Sequence, residues 1–239
     1  MSLVSIEDIA RRRDGILAAI ERSAAKSGRR AEDVALMAVT KGHGAGTVAN
    51  AARAGLTLFG ENRVQEGSAK IAALGPELGG LSWHLIGPLQ SNKAKTALQW
   101  FAAVESLDRE RLAVRLESLL AEAPEGRILP VLLEINLGGE ASKSGVAPDE
   151  APRLFEAALA CPHLDVRGVM AVPPYDEDPE KSRPHFRRLA GIRDRLAAEF
   201  RRPLPELSMG MSHDFAVAVE EGATEVRVGT ALFGPREAA

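Results

Sequence analysis

The sequence predicts a closed (β/α)₈ barrel over residues 1–239, with one extra helix ahead of the first strand. Three observations carry that reading. Apolar runs of strand length alternate with amphipathic stretches of helical length along the chain. Strict strand–helix alternation demands a parallel sheet, and eight repeats can close it on itself. The length of 239 residues also matches the ~250 typical of such barrels. An open doubly wound sheet is the competing architecture. It would more often bring a glycine-rich fingerprint after its first strand, and Gly42-His43-Gly44-Ala45-Gly46 is out of the G-x-G-x-x-G register.

The elements follow in order. Ser5-Ile6-Glu7-Asp8 is a weak capping box, and Ile6, Ile9, Ile16, Leu17 and Ile20 form a helical apolar stripe that Gly28 stops. Val34–Thr40 is apolar and β-branched enough for a buried strand, and the glycines after it mark a loop into a helix over 46–54. The next strands are Thr57–Gly60, Ser82–Ile86, Ala102–Glu105 and Ile128–Asn136, followed by helices over 62–73, 91–98, 108–122 and 149–160. Asp165–Met170 precedes the Pro- and acid-rich surface loop Pro173–Pro184, which overlaps the start of a helix over 179–201. Glu206–Met209, a helix over 213–221, Glu225–Gly229 and a short helix from about 230 complete the series. No composition break or long linker divides the chain.

Composition narrows the function. The chain is 45% hydrophobic and 26% charged, enough to bury a full core and stay soluble. A net charge of −3 offers no basic footprint for nucleic acid. Cys161 is the one cysteine, which forbids an internal disulfide and suits a reducing cytoplasm; before Pro162 at a helix end it reads as structural. No stretch is apolar and long enough for a signal peptide or a membrane span. A cytoplasmic protein, monomeric, is the expectation.

In a barrel, function collects at the C-terminal ends of the strands. Lys41 stands there after strand one. Partly stripped of water, a lysine becomes a neutral amine that attacks aldehydes; alone, a lysine snorkelling to the rim explains it as well. Two small-residue turns, Ser208-Met209-Gly210-Met211-Ser212 and Val228-Gly229-Thr230-Ala231, lead into helices after strands seven and eight, where backbone N–H groups and hydroxyls favour a phosphate. Ordinary capping by Ser212 and Thr230 is the alternative. In Glu225-Val226-Arg227-Val228-Gly229 the side chains alternate, so Arg227 points into the barrel if the valines pack under the helices. Its partner is then either a carboxylate such as Glu134 or a ligand atom that accepts a hydrogen bond. An amine for an aldehyde, a phosphate cradle and an inward arginine together describe a pocket for pyridoxal 5′-phosphate.

The same residues carry a resemblance. Ala38-Val39-Thr40-Lys41, Phe59-Gly60-Glu61-Asn62-Arg63-Val64-Gln65-Glu66 and Trp83-His84-Leu85-Ile86-Gly87-Pro88-Leu89-Gln90-Ser91-Asn92-Lys93 resemble the pyridoxal phosphate homeostasis protein family. So do Ile135-Asn136 with Glu140-Ala141-Ser142-Lys143-Ser144-Gly145, Leu207 to Ser212 with Asp214, and Gly222 through Gly234. The resemblance implies a barrel like the N-terminal domain of alanine racemase, with the cofactor as an internal aldimine on Lys41. It implies Asn62 beside the cofactor, Arg227 facing the ring nitrogen, and Ser208, Ser212, Gly229 and Thr230 around the phosphate, with Met211 also among the cofactor-binding residues. Lys143 matches a second lysine implicated in taking up cofactor, against a solvated loop lysine. Family members are regarded as handling free cofactor and affecting amino- and keto-acid balance, with no firmly established turnover; apo-enzymes are the expected partners of this chain. Two departures concern loop detail: no proline follows Lys41, and Arg63 stands where tyrosine is common.

Three functions compete. An aldolase acting on phosphorylated sugars through a Schiff base has no evident use for Arg227. A racemase needs two positioned acid/base groups, and the one tyrosine, Tyr175, falls in the Pro-rich loop. Binding and delivery of the cofactor, without turnover, is the better reading.

Overall fold

The computed structural model describes residues 3–75, 78–123, 126–139 and 144–235. Glu140 to Lys143 of the loop motif lie outside the described residues, and so does the expectation for Lys143.

α1 (Ile6–Lys26) leads in, capped by the Ser5 hydroxyl, which accepts from the Asp8 N–H at 3.1 Å. β1 (Ala35–Val39), α2 (Ala45–Arg53), β2 (Leu58–Glu61), α3 (Val64–Ala73), β3 (Ser82–Leu85), α4 (Ala94–Trp100), β4 (Ala103–Leu107) and α5 (Glu110–Ala121) follow. β5 (Leu129–Glu134), α6 (Ala151–Leu159), β6 (Leu164–Met170), α7 (Arg183–Phe200), β7 (Glu206–Met211), α8 (Phe215–Glu220), β8 (Glu225–Val228) and α9 (Thr230–Phe233) complete it. The eight strands pair in sequence order, all in parallel, and β8 returns to β1 through Leu36 opposite Val226 and Met37 opposite Arg227. The predicted barrel is the observed one.

Alternation along each strand sorts the core into two zones. Outward residues such as Ala38, Phe59, Leu85, Val131, Leu133, Val226 and Val228 join the apolar shell formed with Ile20, Leu112, Phe155, Phe186 and other helix residues. Phe59 and Trp83, on neighbouring strands, stack at 5.0 Å between centroids. Inward positions include polar groups: Glu105, Glu134, Ser208, Glu225 and Arg227 are all buried. Cys161 is buried too, its thiol pushed up by burial and donating to the Ala157 carbonyl at 3.4 Å, as a structural cysteine does.

Boundaries differ where tertiary hydrogen bonds intervene. β5 ends at Glu134 rather than Asn136 because the chain leaves the sheet there: Ile135 bridges Val146, and Asn136 N–H donates to the Val146 carbonyl at 2.9 Å. β7 runs on to Met211, and Gly229 caps α9 instead of ending β8. The helices predicted from 91 and 179 begin with tight single turns, Ser91–Lys93 and Pro179–Ser182, before α4 and α7. Among the described residues no helix is long and apolar enough to cross a membrane.

Candidate functional site at the mouth of the barrel

Lys41 lies two residues past the end of β1, in the turn that follows the inward Met37 and Val39, and is half-buried. Its neighbours on both sides are pinned. The Lys70 ammonium on α3 donates to the Thr40 carbonyl at 2.6 Å, to Glu61 at 2.6 Å and to Glu66 at 2.8 Å, and Glu66 accepts from the Gly42 N–H at 2.6 Å. The buried Lys70–Glu61 pair thus locks the backbone that carries Lys41. Burial holds the Glu61 carboxyl above its usual range. Burial pushes Glu66 the same way, but the Lys70 ammonium and the Gly42 N–H outweigh it and leave that carboxyl lowered.

The turns after β7 and β8 meet, as the sequence suggested. The Ser212 hydroxyl accepts from the Gly229 and Ala231 N–H groups, each at 3.2 Å, and so bridges the start of α9. Asp214 accepts from the Met211 N–H at 2.7 Å and holds the first turn in shape. Gly210 has φ +90° there, and an added Cβ would fall 2.5 Å from Ala218, so a side chain is excluded by both strain and contact. Thr230 is exposed at the rim. The His43 and Phe233 rings, 5.0 Å apart, tie the Lys41 loop to α9.

Arg227 points inward from β8, only 3% exposed. Its Nη1 donates to Ser208 Oγ at 2.5 Å and its Nη2 to the Ala171 carbonyl at 2.8 Å. No ion pair joins it to Glu134 among the described residues, which disposes of that alternative. Glu134, facing the same interior, has an Oε2 with no hydrogen-bond partner, and its pKa is pushed up to about 7 by burial first and by the charge of Asp108 second, against the pull of Arg227.

Asn62 and the loop after β3 enclose a second part of the mouth, a cleft of about 360 Å³ lined also by Arg63, Gln65, Pro88, Gln90 and Lys93. Gly87 permits this approach: a Cβ there would stand 2.2 Å from the Asn62 carbonyl oxygen. Tyr175 reaches the rim, 5.6 Å from the His213 ring, but is 75% exposed.

One expected residue is placed elsewhere. Ser208 was expected at the phosphate turn. It is fully buried in the barrel interior, and its hydroxyl is committed to Glu105, Glu225 and Arg227. The buried polar residues Lys70, Glu105 and Glu225 were not singled out in the sequence. The shared inward parity of Glu225 and Arg227 was the available signal for that pair.

The family model for the N-terminal domain of alanine racemase matches residues 16–237, so the barrel is of that class. Within it, the chain belongs to the pyridoxal phosphate homeostasis protein family. A protein of that name from Aquifex aeolicus is 43% identical over 222 residues, covering 93% of this chain and 96% of the relative. The one from Escherichia coli K12 is 40% identical over 239 residues, covering 97% and 98%. PipY of Synechococcus elongatus, solved without and with pyridoxal phosphate bound, is 36% identical, with TM-scores of 0.83 and 0.78. Those matches cover 95% and 90% of this chain and all of PipY. Corynebacterium glutamicum alanine racemase, 18% identical with a TM-score of 0.69, shares the fold; the match covers 98% of this chain and 62% of the enzyme.

Proposed function

We propose that this chain binds pyridoxal 5′-phosphate at the mouth of its barrel, attached through Lys41, and holds it for delivery to apo-enzymes rather than for turnover. The observation that supports this is that two elements share the rim of the barrel and a third points into the interior they surround. Lys41 stands on a backbone clamped by Lys70 and Glu66, the bridged turns at Ser212 and Gly229 lie beside it through His43 and Phe233, and Arg227 lies in the interior. The orphaned Glu134 oxygen in that interior is what a site built around a polar guest leaves behind. The names of the relatives and the cofactor bound to PipY support the same reading.

Bound, the cofactor supplies an aldehyde that condenses with an amine and a ring that withdraws electrons. The residues of this chain do the rest. Lys41 offers the amine. The Thr230 N–H, with the hydroxyls of Ser212 and Thr230, offers donors to the phosphate, while Gly229 and Met211 shape the two turns. Asn62 would flank the cofactor. Arg227 would face the ring nitrogen and, always protonated, would give up no proton to it, which would leave the ring a poor electron sink. Tyr175 lies open to water, so it is no shielded second base for racemisation. We place the protein in the cytoplasm as a monomer. Titrating the protein with pyridoxal phosphate under visible absorption tests the reading: a saturable band that Lys41→Ala abolishes is expected, and no band in the unaltered protein rejects it.

A further inference from the structure

Four strands each send polar groups into the barrel interior, and these groups form one connected column. The His84 Nδ1 on β3 lies 2.7 Å from Glu105 Oε1 on β4, and the other oxygen of Glu105 lies 2.7 Å from Ser208 Oγ on β7. The same hydroxyl lies 2.7 Å from Glu225 Oε1 on β8 and accepts from Arg227 Nη1 at 2.5 Å. His84 Nδ1 is also 3.9 Å from Glu225 Oε2. At its far end the column opens, at the opposite pole from Lys41, on a cleft of about 530 Å³ lined by Arg29, Asp33, His84, Glu206, Thr224 and Glu225.

Counting hydrogens settles the state of this column. Ser208 Oγ has one proton and three polar neighbours. Arg227 can only donate to it, so the hydroxyl proton serves one carboxylate and the other must bring its own. Burial and the charge of Glu105 push the Glu225 carboxyl well above its usual range, so the extra proton belongs on Glu225. Burial raises Glu105 as well, but the His84 N–H and the Arg227 charge outweigh it, and that carboxyl is lowered. The resulting pattern leaves no conflict: Arg227 and Glu225 donate to Ser208, Ser208 donates to Glu105, and His84 donates to Glu105. His84, Glu105 and Glu225 also have the donor set of a divalent-cation site, but one proton already satisfies all of them.

We propose that Glu225 is held as a neutral acid, and that the Glu225–Ser208–Glu105–His84 column is the device that aims Arg227 at the cofactor. This rests on the reading of Arg227 as the cofactor-facing arginine. Glu225 and Ser208 are positioning residues, acting only through the guanidinium. When Glu225 ionises, Ser208 loses a donor and a second negative charge joins Glu105 beside Arg227. The arginine is then drawn toward the column and away from the mouth. Other charged groups lie about this interior: Arg29, Asp33 and Glu206 line the cleft with Glu225, and Glu134 on β5, beside Asp108, pulls on Arg227 as well, but Glu134 ionises near neutrality and is spent before the alkaline range. Cofactor affinity should therefore fall toward alkaline pH through Glu225.

The test is absorption titration with pyridoxal phosphate, from neutral to alkaline pH, of the unaltered protein, Glu225→Gln and Ser208→Ala. The amide of Glu225→Gln still donates to Ser208 and cannot ionise. This variant should match the unaltered protein at neutral pH and lose less affinity toward alkaline pH. Ser208→Ala takes the acceptor from Arg227 and should bind about tenfold more weakly, the factor one lost charge-assisted hydrogen bond implies, with a shifted band. Parallel pH profiles for Glu225→Gln and the unaltered protein overturn the proposal, and so does weakened neutral-pH binding by Glu225→Gln. That pH comparison decides the matter even if Ser208→Ala does not fold. Absence of binding by the unaltered protein would instead overturn the cofactor reading itself.

Discussion

Replacing Glu134 by Gln should change how stability depends on pH, in a direction the structure dictates. Glu134 is 8% exposed, one of its oxygens has no partner, and its pKa is raised from 4.5 to about 7. A carboxyl whose folded pKa lies above its unfolded value binds its proton more tightly when folded. Its contribution to stability is complete below about pH 4.5 and is lost as pH rises through 7. A difference of about 2.5 units at 1.36 kcal/mol each sets the loss on the order of 3 kcal/mol, an upper bound because a folded protein relaxes around a buried charge. Gln carries no charge at either pH, but it leaves an amide where an acceptor was unpaired, a cost that applies at every pH. The change in the difference between the two proteins is therefore the quantity to read. Urea unfolding of the cofactor-free proteins at pH 5 and pH 8 provides it. Glu134→Gln should gain on the unaltered protein by about 2–3 kcal/mol between those conditions. Curves that stay parallel would show that Glu134 ionises normally, and its placement as an unpaired buried group would be wrong.

Three other outcomes follow from the same geometry. Lys70→Met should destabilise the protein by about 3–5 kcal/mol in urea unfolding, because it strands the buried Glu61 carboxylate beneath the Lys41 loop; a loss under about 1 kcal/mol would contradict the clamp. Pyridoxal, lacking the phosphate, should bind more weakly than pyridoxal phosphate by several kcal/mol, at roughly 1.5–3 kcal/mol per charge-assisted hydrogen bond, and equal affinities in absorption titration would remove the phosphate role of the Ser212 and Gly229 turns. Incubation with L-alanine in deuterated water should leave the α-proton at background, since Tyr175 is open to solvent and Arg227, in its proposed place at the ring nitrogen, would leave the ring a weak electron sink; rapid exchange that Lys41→Ala abolishes would make this protein an enzyme.

The barrel was legible because its signal is local and repeated: each strand–helix pair carries its own periodicity, and the order of pairs determines the closure. Lys41, Arg227 and the Ser212 and Gly229 turns were legible for a related reason. Each is defined by its position at a strand end or by alternation within one strand. What the sequence hid depends on distance. Glu105, Ser208 and Glu225 come from strands far apart in the chain, and nothing near Ser208 says that its hydroxyl turns inward to two carboxylates rather than up to the phosphate turn. Lys70 looks like any lysine on an amphipathic helix until Glu61 and the Thr40 carbonyl are brought over it. The end of β5 was misplaced by two residues because a bridge from Ile135 to Val146, well along the chain, decides it.

The attachment at Lys41 is the claim on which the rest depends. Borohydride reduction of the protein loaded with pyridoxal phosphate, followed by peptide mapping, tests it directly. The expected result is one stable adduct on the peptide holding Lys41, missing in Lys41→Ala. An adduct found on Lys143 or scattered over surface lysines, with none on Lys41, would contradict it.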